Sequence, residues 1–145
     1  MPGTTKATPT SDFEELLRTF RSCDVKYLIV GGYAVMLYTE PRYTKDLDLW
    51  IEAGEENSGK VFQALAAFGA PLAGMAASDF AREGFYQLGL PPVRVDILMS
   101  VDGLSFGEAW PNRREAMLGQ EKAYFISRED LIQNKLAIGR HWPAY

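Results

Sequence analysis

The chain has 145 residues, of which 47% are hydrophobic and 23% are charged, and its formal net charge is −4. This length fits one domain, and the composition is ordinary for a globular protein with a buried core. The negative net charge disfavours broad, nonspecific binding of nucleic acid but leaves room for a local basic cleft. We expect a cytoplasmic protein without membrane contact, because the chain has one cysteine, Cys23, and neither a leader peptide nor a long apolar span is evident.

The N-terminal region changes character after its first few residues. Residues 1–10 are small and polar with Pro, Gly and Thr, as in a mobile tail. The pattern Ser11-x-x-Glu14 then predicts a capping box at the start of a helix. The apolar residues that follow recur at helical spacing and predict a core-facing stripe: Phe13, Leu16, Leu17 and Phe20. We therefore predict a tail at residues 1–10 and one folded domain over residues 11–145.

A short apolar run, Tyr27–Val30, has the β-branched and aromatic content of a buried strand. It stops at Gly31-Gly32, and helix-compatible residues continue to Tyr38, which predicts a strand, a tight turn and a helix. Glycines in such a turn allow backbone N–H groups at the helix start to bind an anion such as phosphate. Taken alone, a glycine pair of this kind is more often an ordinary turn.

Two aspartates alternate with leucines in the segment Asp46–Ile51. Because side chains at i and i+2 share one face of a strand, we expect Asp46 and Asp48 on one face and the leucines toward the core. Two carboxylates about 7 Å apart along a strand repel each other and favour a divalent cation between them. Oxygen ligands of this kind suit Mg²⁺ or Mn²⁺.

The order of these features resembles a known signature. The glycine pair, a short helix and then Arg42-x-Thr44-x-Asp46-x-Asp48 are similar to the motif of the DNA polymerase β-like nucleotidyltransferases. The similarity is greatest to the small bacterial branch related to abortive-infection and toxin–antitoxin nucleotidyltransferases. The resemblance implies an α/β (α+β) nucleotidyltransferase fold, a single domain in which helices flank a mixed β-sheet. In this superfamily the turn is commonly Gly-Ser, so Gly32 leaves backbone N–H groups as the expected phosphate contacts.

The next segment predicts a helix that packs on the sheet. Residues 54–58 form a polar loop, and Asn57 or Ser58 is expected to cap a helix that ends at Gly69. The apolar positions of this helix share one face: Val61, Phe62, Leu65 and Phe68. A further short turn of helix is predicted at residues 78–82.

A β-hairpin is predicted from Phe85–Leu90 and Val93–Met99, with Pro91-Pro92 between the two strands. Alternation in the second strand places its valines, isoleucine and methionine on one face and Asp96 on the other. A carboxylate there is costly unless it is solvated, paired or bound to metal. A solvated aspartate is one explanation. In the superfamily, however, a third carboxylate on a neighbouring strand completes the metal site, and Asp96 matches it.

The last third of the chain begins with turn-rich residues 102–119. Arg113-Arg114 in this part is either a solvated face or a phosphate or nucleic-acid edge. A strand at residues 122–126 is followed by Ser127-x-x-Asp130, a second capping box, and by a helix through Ile138 that Gly139 closes. In the related branch such a helix bears a lysine near the nucleotide, and Lys135 matches that lysine. The alternative is a plain surface lysine.

The resemblance implies transfer of a nucleoside monophosphate from a nucleoside triphosphate to a hydroxyl of RNA, protein or a small molecule. Three carboxylates would bind Mg²⁺ or Mn²⁺ and catalyse the reaction: Asp46, Asp48 and Asp96. The nucleotide would be bound by Gly31, Gly32, Arg42, Thr44 and Lys135.

Two other functions remain open at this point. One is a non-catalytic module that keeps the fold and pairs with an antitoxin-like protein. The glycine at position 32 favours this alternative, whereas the complete set of three carboxylates argues against it. The other is a metal-dependent phosphohydrolase, since the spacing of carboxylates alone does not separate hydrolysis from transfer.

Overall fold

The computed structural model describes residues 9–41, 46–90 and 93–141. In these ranges five α-helices flank one six-stranded sheet. The helices are α1 Pro9–Ser22, α2 Gly31–Tyr38, α3 Glu55–Phe68, α4 Phe106–Ala109 and α5 Arg128–His141. The strands are β1 Tyr27–Val30, β2 Asp46–Ile51, β3 Phe85–Leu90, β4 Val93–Leu98, β5 Arg114–Leu118 and β6 Glu121–Phe125. Short 3₁₀ helices occupy Ala77–Ala81 and Trp110–Asn112.

The sheet is mixed and has the order β3-β4-β2-β1-β6-β5. Strand β2 lies antiparallel to β1 and parallel to β4, so these three strands form the centre of the sheet with β6, which is parallel to β1. The hairpins β3–β4 and β5–β6 are antiparallel and supply the two edges. The predicted mixed sheet flanked by helices is therefore confirmed.

The hydrophobic core joins the buried side chains of α1 and α3 to those of the central strands. The predicted stripe of α1 is fully enclosed, and Phe20 meets Tyr27 of β1 edge-on with ring centroids 5.8 Å apart. On β2, Leu47 and Leu49 are both 0% exposed, as the alternation predicts. Burial of these side chains fixes the register of β2, because a slip of one residue would bring the aspartates into the core.

The start of the first helix differs from the prediction. Helix α1 begins at Pro9, so Ser11 lies within the helix and the predicted capping box at Ser11 is wrong. Proline suits the first turn of a helix because its ring presets φ and it lacks the N–H that would stay unpaired there. Residues 1–8 of the predicted tail lie outside the described residues.

The start of α3 also differs. The residue before its first turn is Gly54, so neither Asn57 nor Ser58 caps the helix as predicted. Asn57 is buried and instead donates to the backbone carbonyls of Lys26 and Glu52 at 3.0 and 2.8 Å. Its side chain therefore holds the start of α3 against the neighbouring strands. The predicted end of the helix at Gly69 is confirmed by the left-handed φ of +99° at that residue.

The C-terminal third contains one strand that the turn-rich pattern does not predict, β5, which pairs with β6. The predicted cap at Ser127 is confirmed, since its Oγ accepts the N–H of Asp130 at 3.1 Å. Helix α5 does not end at Gly139, because it continues to His141. Every helix in the described part of the chain is too short or too polar to cross a membrane.

Candidate active site

The carboxylates lie together on the face of the sheet opposite to α1. Asp48 of β2 and Asp96 of β4 are direct partners in the parallel register, and Asp46 is the partner of Arg94 in the same ladder. On the other side of β2, Val30 of β1 lies opposite Asp48. The centre of the sheet therefore carries Asp48 between Asp96 and the end of β1.

The turn after β1 approaches Asp48 closely. Helix α2 begins at Gly31, whose φ of +69° is left-handed and therefore favours glycine. A Cβ atom at Gly31 would overlap Oδ2 of Asp48, so a larger residue does not fit without displacement of the carboxylate. Val30 gives the helix no side-chain cap, and its first turn has no acidic residue. A valine has no side-chain oxygen that could accept the backbone N–H groups of the first turn of α2.

Asp48 has the most altered acidity among the carboxylates. Its pKa is raised from 3.8 to about 7, first by burial and then by the negative charge of Asp96, a hydrogen bond with Asp96 and the charge of Asp46. The charge of Lys135 acts in the opposite direction. Near neutral pH, Asp48 is therefore partly protonated, and a nearby positive charge would favour its ionised form.

Two side chains that the sequence analysis does not single out contact the other carboxylates. Arg94 donates to Asp46 Oδ2 from Nη2 at 2.6 Å and from Nε at 3.1 Å. Gln87 Nε2 donates to Asp96 Oδ1 at 3.0 Å. The alternation that places Asp96 on this face also places Arg94 there, two positions earlier, so a signal for Arg94 was present. The position of Gln87 follows only from the hairpin register.

A cavity of about 350 Å³ opens beside Asp48. Its walls come from the β1–α2 turn, the segment after β4, and α5, and they consist of Val30, Gly31, Asp48, Leu98, Ser100, Val101, Asp102, Asn134, Lys135 and Ile138. The structure thus brings Lys135 to the same cavity as Asp48 and Gly31. Ser100, Asp102 and Asn134 are polar lining residues that the sequence analysis does not identify.

The segment after β4 is fixed to α5. Asn134 is 8% exposed and its Nδ2 donates to the carbonyl of Asp102 at 2.9 Å. Gln133 Nε2 donates to the carbonyl of Gly103 at 2.9 Å. A Cβ atom at Gly103 would lie 2.5 Å from Cβ of Ala137, so the two segments approach closely. One wall of the cavity is therefore a loop and a helix that pack as a unit.

Arg113 and Arg114, which the sequence offered as a possible phosphate edge, do not line this cavity. Arg42 and Thr44 lie outside the described residues. Arg113 stacks 3.9 Å above the ring of Trp110 and donates to its carbonyl. Arg114 lies over Tyr38 at 5.6 Å. The Arg113 side chain therefore packs against Trp110 and also lies 5.3 Å from the ring centre of Tyr124 on β6.

A second cavity, of about 270 Å³, lies between α2 and the β5–β6 hairpin. Apolar side chains dominate its lining: Tyr33, Met36, Leu37, Met117, Leu118, Gly119 and Phe125. No carboxylate or amine side chain belongs to this lining. The cavity beside Asp48 is therefore the better candidate for chemistry.

The donor set can be compared with what a divalent cation requires. Within residues 9–41, 46–90 and 93–141, no three Asp, Glu, His or Cys side chains form a group that could hold a metal ion. Asp46 pairs with Arg94, whereas Asp48 interacts with Asp96. The chemistry of the donors still fits Mg²⁺ or Mn²⁺, because carboxylate oxygens on adjacent strands are the ligands that these ions prefer.

The fold resembles nucleotidyltransferases of known structure. A Thermotoga maritima protein, TM1012, described as a candidate nucleotidyltransferase, shares 16% identity at a TM-score of 0.62, over 88% of this chain and 83% of that one. The antibiotic-resistance factor ANT(2″)-Ia shares 16% identity at a TM-score of 0.57, over 93% of this chain and 76% of that one. The lincosamide antibiotic adenylyltransferase LnuA, solved with lincomycin bound, shares 19% identity at a TM-score of 0.52, over 83% of this chain and 82% of that one.

These likenesses confirm the predicted nucleotidyltransferase fold. No curated protein sequence matches the chain significantly. The family model described as "Nucleotidyltransferase of unknown function (DUF6036)" matches residues 10–142, which is most of the sequence. The resemblance to the polymerase β-like superfamily is thereby confirmed, and the chain belongs to the DUF6036 nucleotidyltransferase family.

Proposed function

We propose that this protein transfers a nucleoside monophosphate from a nucleoside triphosphate to a hydroxyl group, with Asp48 at the centre of the site. The observation that carries this proposal is the contact of Asp48 with Gly31 on one side and its register pairing with Asp96 on the other. A phosphate bound at the glycine turn would thus lie next to two carboxylates. This is the arrangement that nucleotidyl transfer needs.

A divalent cation would be held by Asp48 and Asp96, with Asp46 as a further ligand. When bound, it would neutralise phosphate charge and lower the pKa of the acceptor hydroxyl. The raised pKa of Asp48, about 7, supports this assignment. A cation would displace the proton from the protonated fraction of Asp48, since the carboxylate must ionise to bind it.

The residues of the chain have distinct parts in the proposed reaction. The N–H groups of Gly31 and Gly32 at the start of α2 orient the triphosphate, and Lys135 neutralises the leaving pyrophosphate. Asp96 accepts the proton of the acceptor hydroxyl. The acceptor oxygen forms a bond to the α-phosphorus while the bond from that phosphorus to the bridging oxygen of pyrophosphate breaks. Arg42 and Thr44, as further nucleotide contacts, stay predictions from the sequence.

A small molecule is the acceptor that we favour. LnuA is described as an antibiotic adenylyltransferase and ANT(2″)-Ia as an antibiotic-resistance factor, and both have the same fold as this chain. These likenesses support an NTP donor such as ATP and a small hydroxyl compound as acceptor. RNA, a protein acceptor and an antitoxin-like partner are the alternatives that the experiment below distinguishes.

The decisive assay follows label from the donor. The protein is incubated with Mg²⁺ and an NTP labelled at either the α- or the γ-phosphate. Three mixtures are compared: one with RNA, one with no acceptor other than the protein itself, and one with a panel of small hydroxyl compounds. We expect α-label on one acceptor class, equal release of pyrophosphate, and loss of both in Asp48→Asn. Release of free monophosphate without an acceptor would instead indicate a phosphohydrolase. No turnover and no nucleotide binding would indicate the non-catalytic module.

A further inference from the structure

Arg94 holds Asp46 through one oxygen only. Both of its hydrogen bonds, from Nη2 at 2.6 Å and from Nε at 3.1 Å, go to Oδ2 of Asp46. The two side chains are partly shielded, with 34% of Arg94 and 18% of Asp46 exposed. The other oxygen of Asp46, Oδ1, receives neither bond. Arg94 therefore fixes the orientation of this carboxylate and leaves one oxygen to a further ligand.

Gln87 has the equivalent relation to Asp96. Its amide Nε2 donates to Oδ1 of Asp96 at 3.0 Å and leaves Oδ2 without this donor. The two residues are direct partners across β3 and β4, as Asp46 and Arg94 are across β2 and β4. Two rows of side chains thus cross the sheet, and in each row a neutral or cationic donor contacts a carboxylate.

The strength of these contacts is enough to restrict the carboxylates. A hydrogen bond to a charged group contributes about 1.5–3 kcal/mol, and the fork of an arginine also restricts direction. Without such a donor, a carboxylate beside two others would rotate away from them, since like charges repel. Side chains that orient ligands in this way typically change metal affinity by about 10- to 100-fold when they are lost.

From these contacts we propose that Arg94 and Gln87 are positioning residues that orient Asp46 and Asp96 for a divalent cation. This inference rests on the proposed function, because it assigns roles around the same carboxylates. The positive charge of Arg94 also repels a cation. If Arg94 only competed with the cation for Asp46, its presence would weaken cation binding, and its removal would strengthen it. The sign of the change on removing Arg94 therefore distinguishes a positioning residue from a competitor.

The test measures Mn²⁺ binding to the full chain without nucleotide at pH 8, with electron paramagnetic resonance as the method of detection. Arg94→Gln removes the charge and the fork, and Arg94→Lys keeps the charge without the fork. Gln87→Leu removes the donor to Asp96. The matched control is Arg18→Gln, which removes an arginine of α1 that pairs with Glu121 of β6 and not with the three carboxylates. Circular dichroism of each variant confirms folding.

We expect the Mn²⁺ dissociation constant to rise about 10-fold or more in Arg94→Gln and in Gln87→Leu, and less in Arg94→Lys. Arg18→Gln should bind as the native chain does. Native-like or tighter binding in Arg94→Gln would overturn the positioning role of Arg94, and native-like binding in Gln87→Leu would overturn that of Gln87. If Arg94→Gln does not fold, Arg94→Lys decides, and unchanged affinity overturns the role. Failure of the native chain to bind Mn²⁺ would instead overturn the metal site itself, and the positioning roles with it.

Discussion

The backbone of Gly31 lies against the carboxylate of Asp48 with no space for a Cβ atom between them. The left-handed φ of +69° at Gly31 adds a second reason for glycine at this position. The turn that would bind phosphate and the carboxylate that would bind a cation are therefore parts of one contact. A change on either side of this contact should affect both.

Gly31→Ala should remove nucleotide binding, because the new methyl group must displace Asp48 and the backbone is strained at positive φ. We expect a loss of stability of about 1–3 kcal/mol and NTP affinity below detection by calorimetry. Gly59→Ala is the matched control, since Gly59 lies within α3 and a Cβ there meets nothing within 4 Å. Native-like NTP binding in Gly31→Ala would contradict this account.

Asp48→Asn should stabilise the metal-free protein at pH 8 while it removes transfer activity. The asparagine cannot ionise, so the cost of a buried charge beside Asp96 and Asp46 disappears. We expect a gain on the order of 2 kcal/mol in the free energy of unfolding, measured with urea. Asp24→Asn removes a carboxylate that is 93% exposed, and it should change stability by less than about 0.5 kcal/mol.

The gain in Asp48→Asn should depend on pH in a defined direction. The pKa of Asp48 is about 7 in the folded chain against an ordinary 3.8, so the folded state binds the extra proton between these values. The native stability that this proton provides is complete at low pH and is lost as the pH rises toward 7. The advantage of the variant should thus be smaller at pH 5 than at pH 8. An equal difference at both values would contradict the raised pKa.

Lys135→Ala should weaken NTP binding about 10-fold, because it removes a positive charge from the cavity that contains Asp48. Lys135→Arg keeps the charge and should recover most of the affinity. Lys60→Ala serves as the control, since that lysine pairs with Glu56 and Asp24 and does not line this cavity. Equal affinity of Lys135→Ala and the native chain would indicate a plain surface lysine.

Asn134→Ala should lower the free energy of unfolding by about 1–2 kcal/mol and raise the KM for the nucleotide, because the carbonyl of Asp102 loses a buried donor. Gln133→Ala removes an exposed hydrogen bond from the same helix to the carbonyl of Gly103, so it should lower the free energy of unfolding by less. Urea denaturation of both variants measures the difference. If the two substitutions lower the free energy of unfolding equally, the buried hydrogen bond of Asn134 does not stabilise the cavity wall more than the exposed one of Gln133 does.

Local patterns in the sequence are sufficient to predict the central part of the fold. The alternation of aspartate with leucine predicted the faces of β2, since burial of Leu47 and Leu49 leaves no other register. The same alternation placed Asp96 on the site face of β4, and the cap at Ser127 is a contact within one turn. Each of these features depends on residues that are close in sequence.

Contacts between distant segments could not be predicted in this way. Strand β5 begins with Arg114-Glu115 at an exposed sheet edge, so it lacks the apolar alternation that marks a half-buried strand. The donation from Arg94 to Asp46 joins residues 48 positions apart and follows only from the parallel pairing of β2 with β4. The local pattern predicts Asn57 as a cap of α3, whereas its side chain donates instead to the carbonyl of Lys26, which is distant in sequence.

The most direct test of the central claim is calorimetric titration of the native chain and of Asp46→Asn/Asp48→Asn with each Mg²⁺–nucleoside triphosphate. This measurement needs no knowledge of the acceptor. We predict that the native chain binds at least one triphosphate only when Mg²⁺ is present, and that the double variant, folded by circular dichroism, binds none. Absence of binding by the native chain to every triphosphate would contradict the account and favour a non-catalytic module of the same fold.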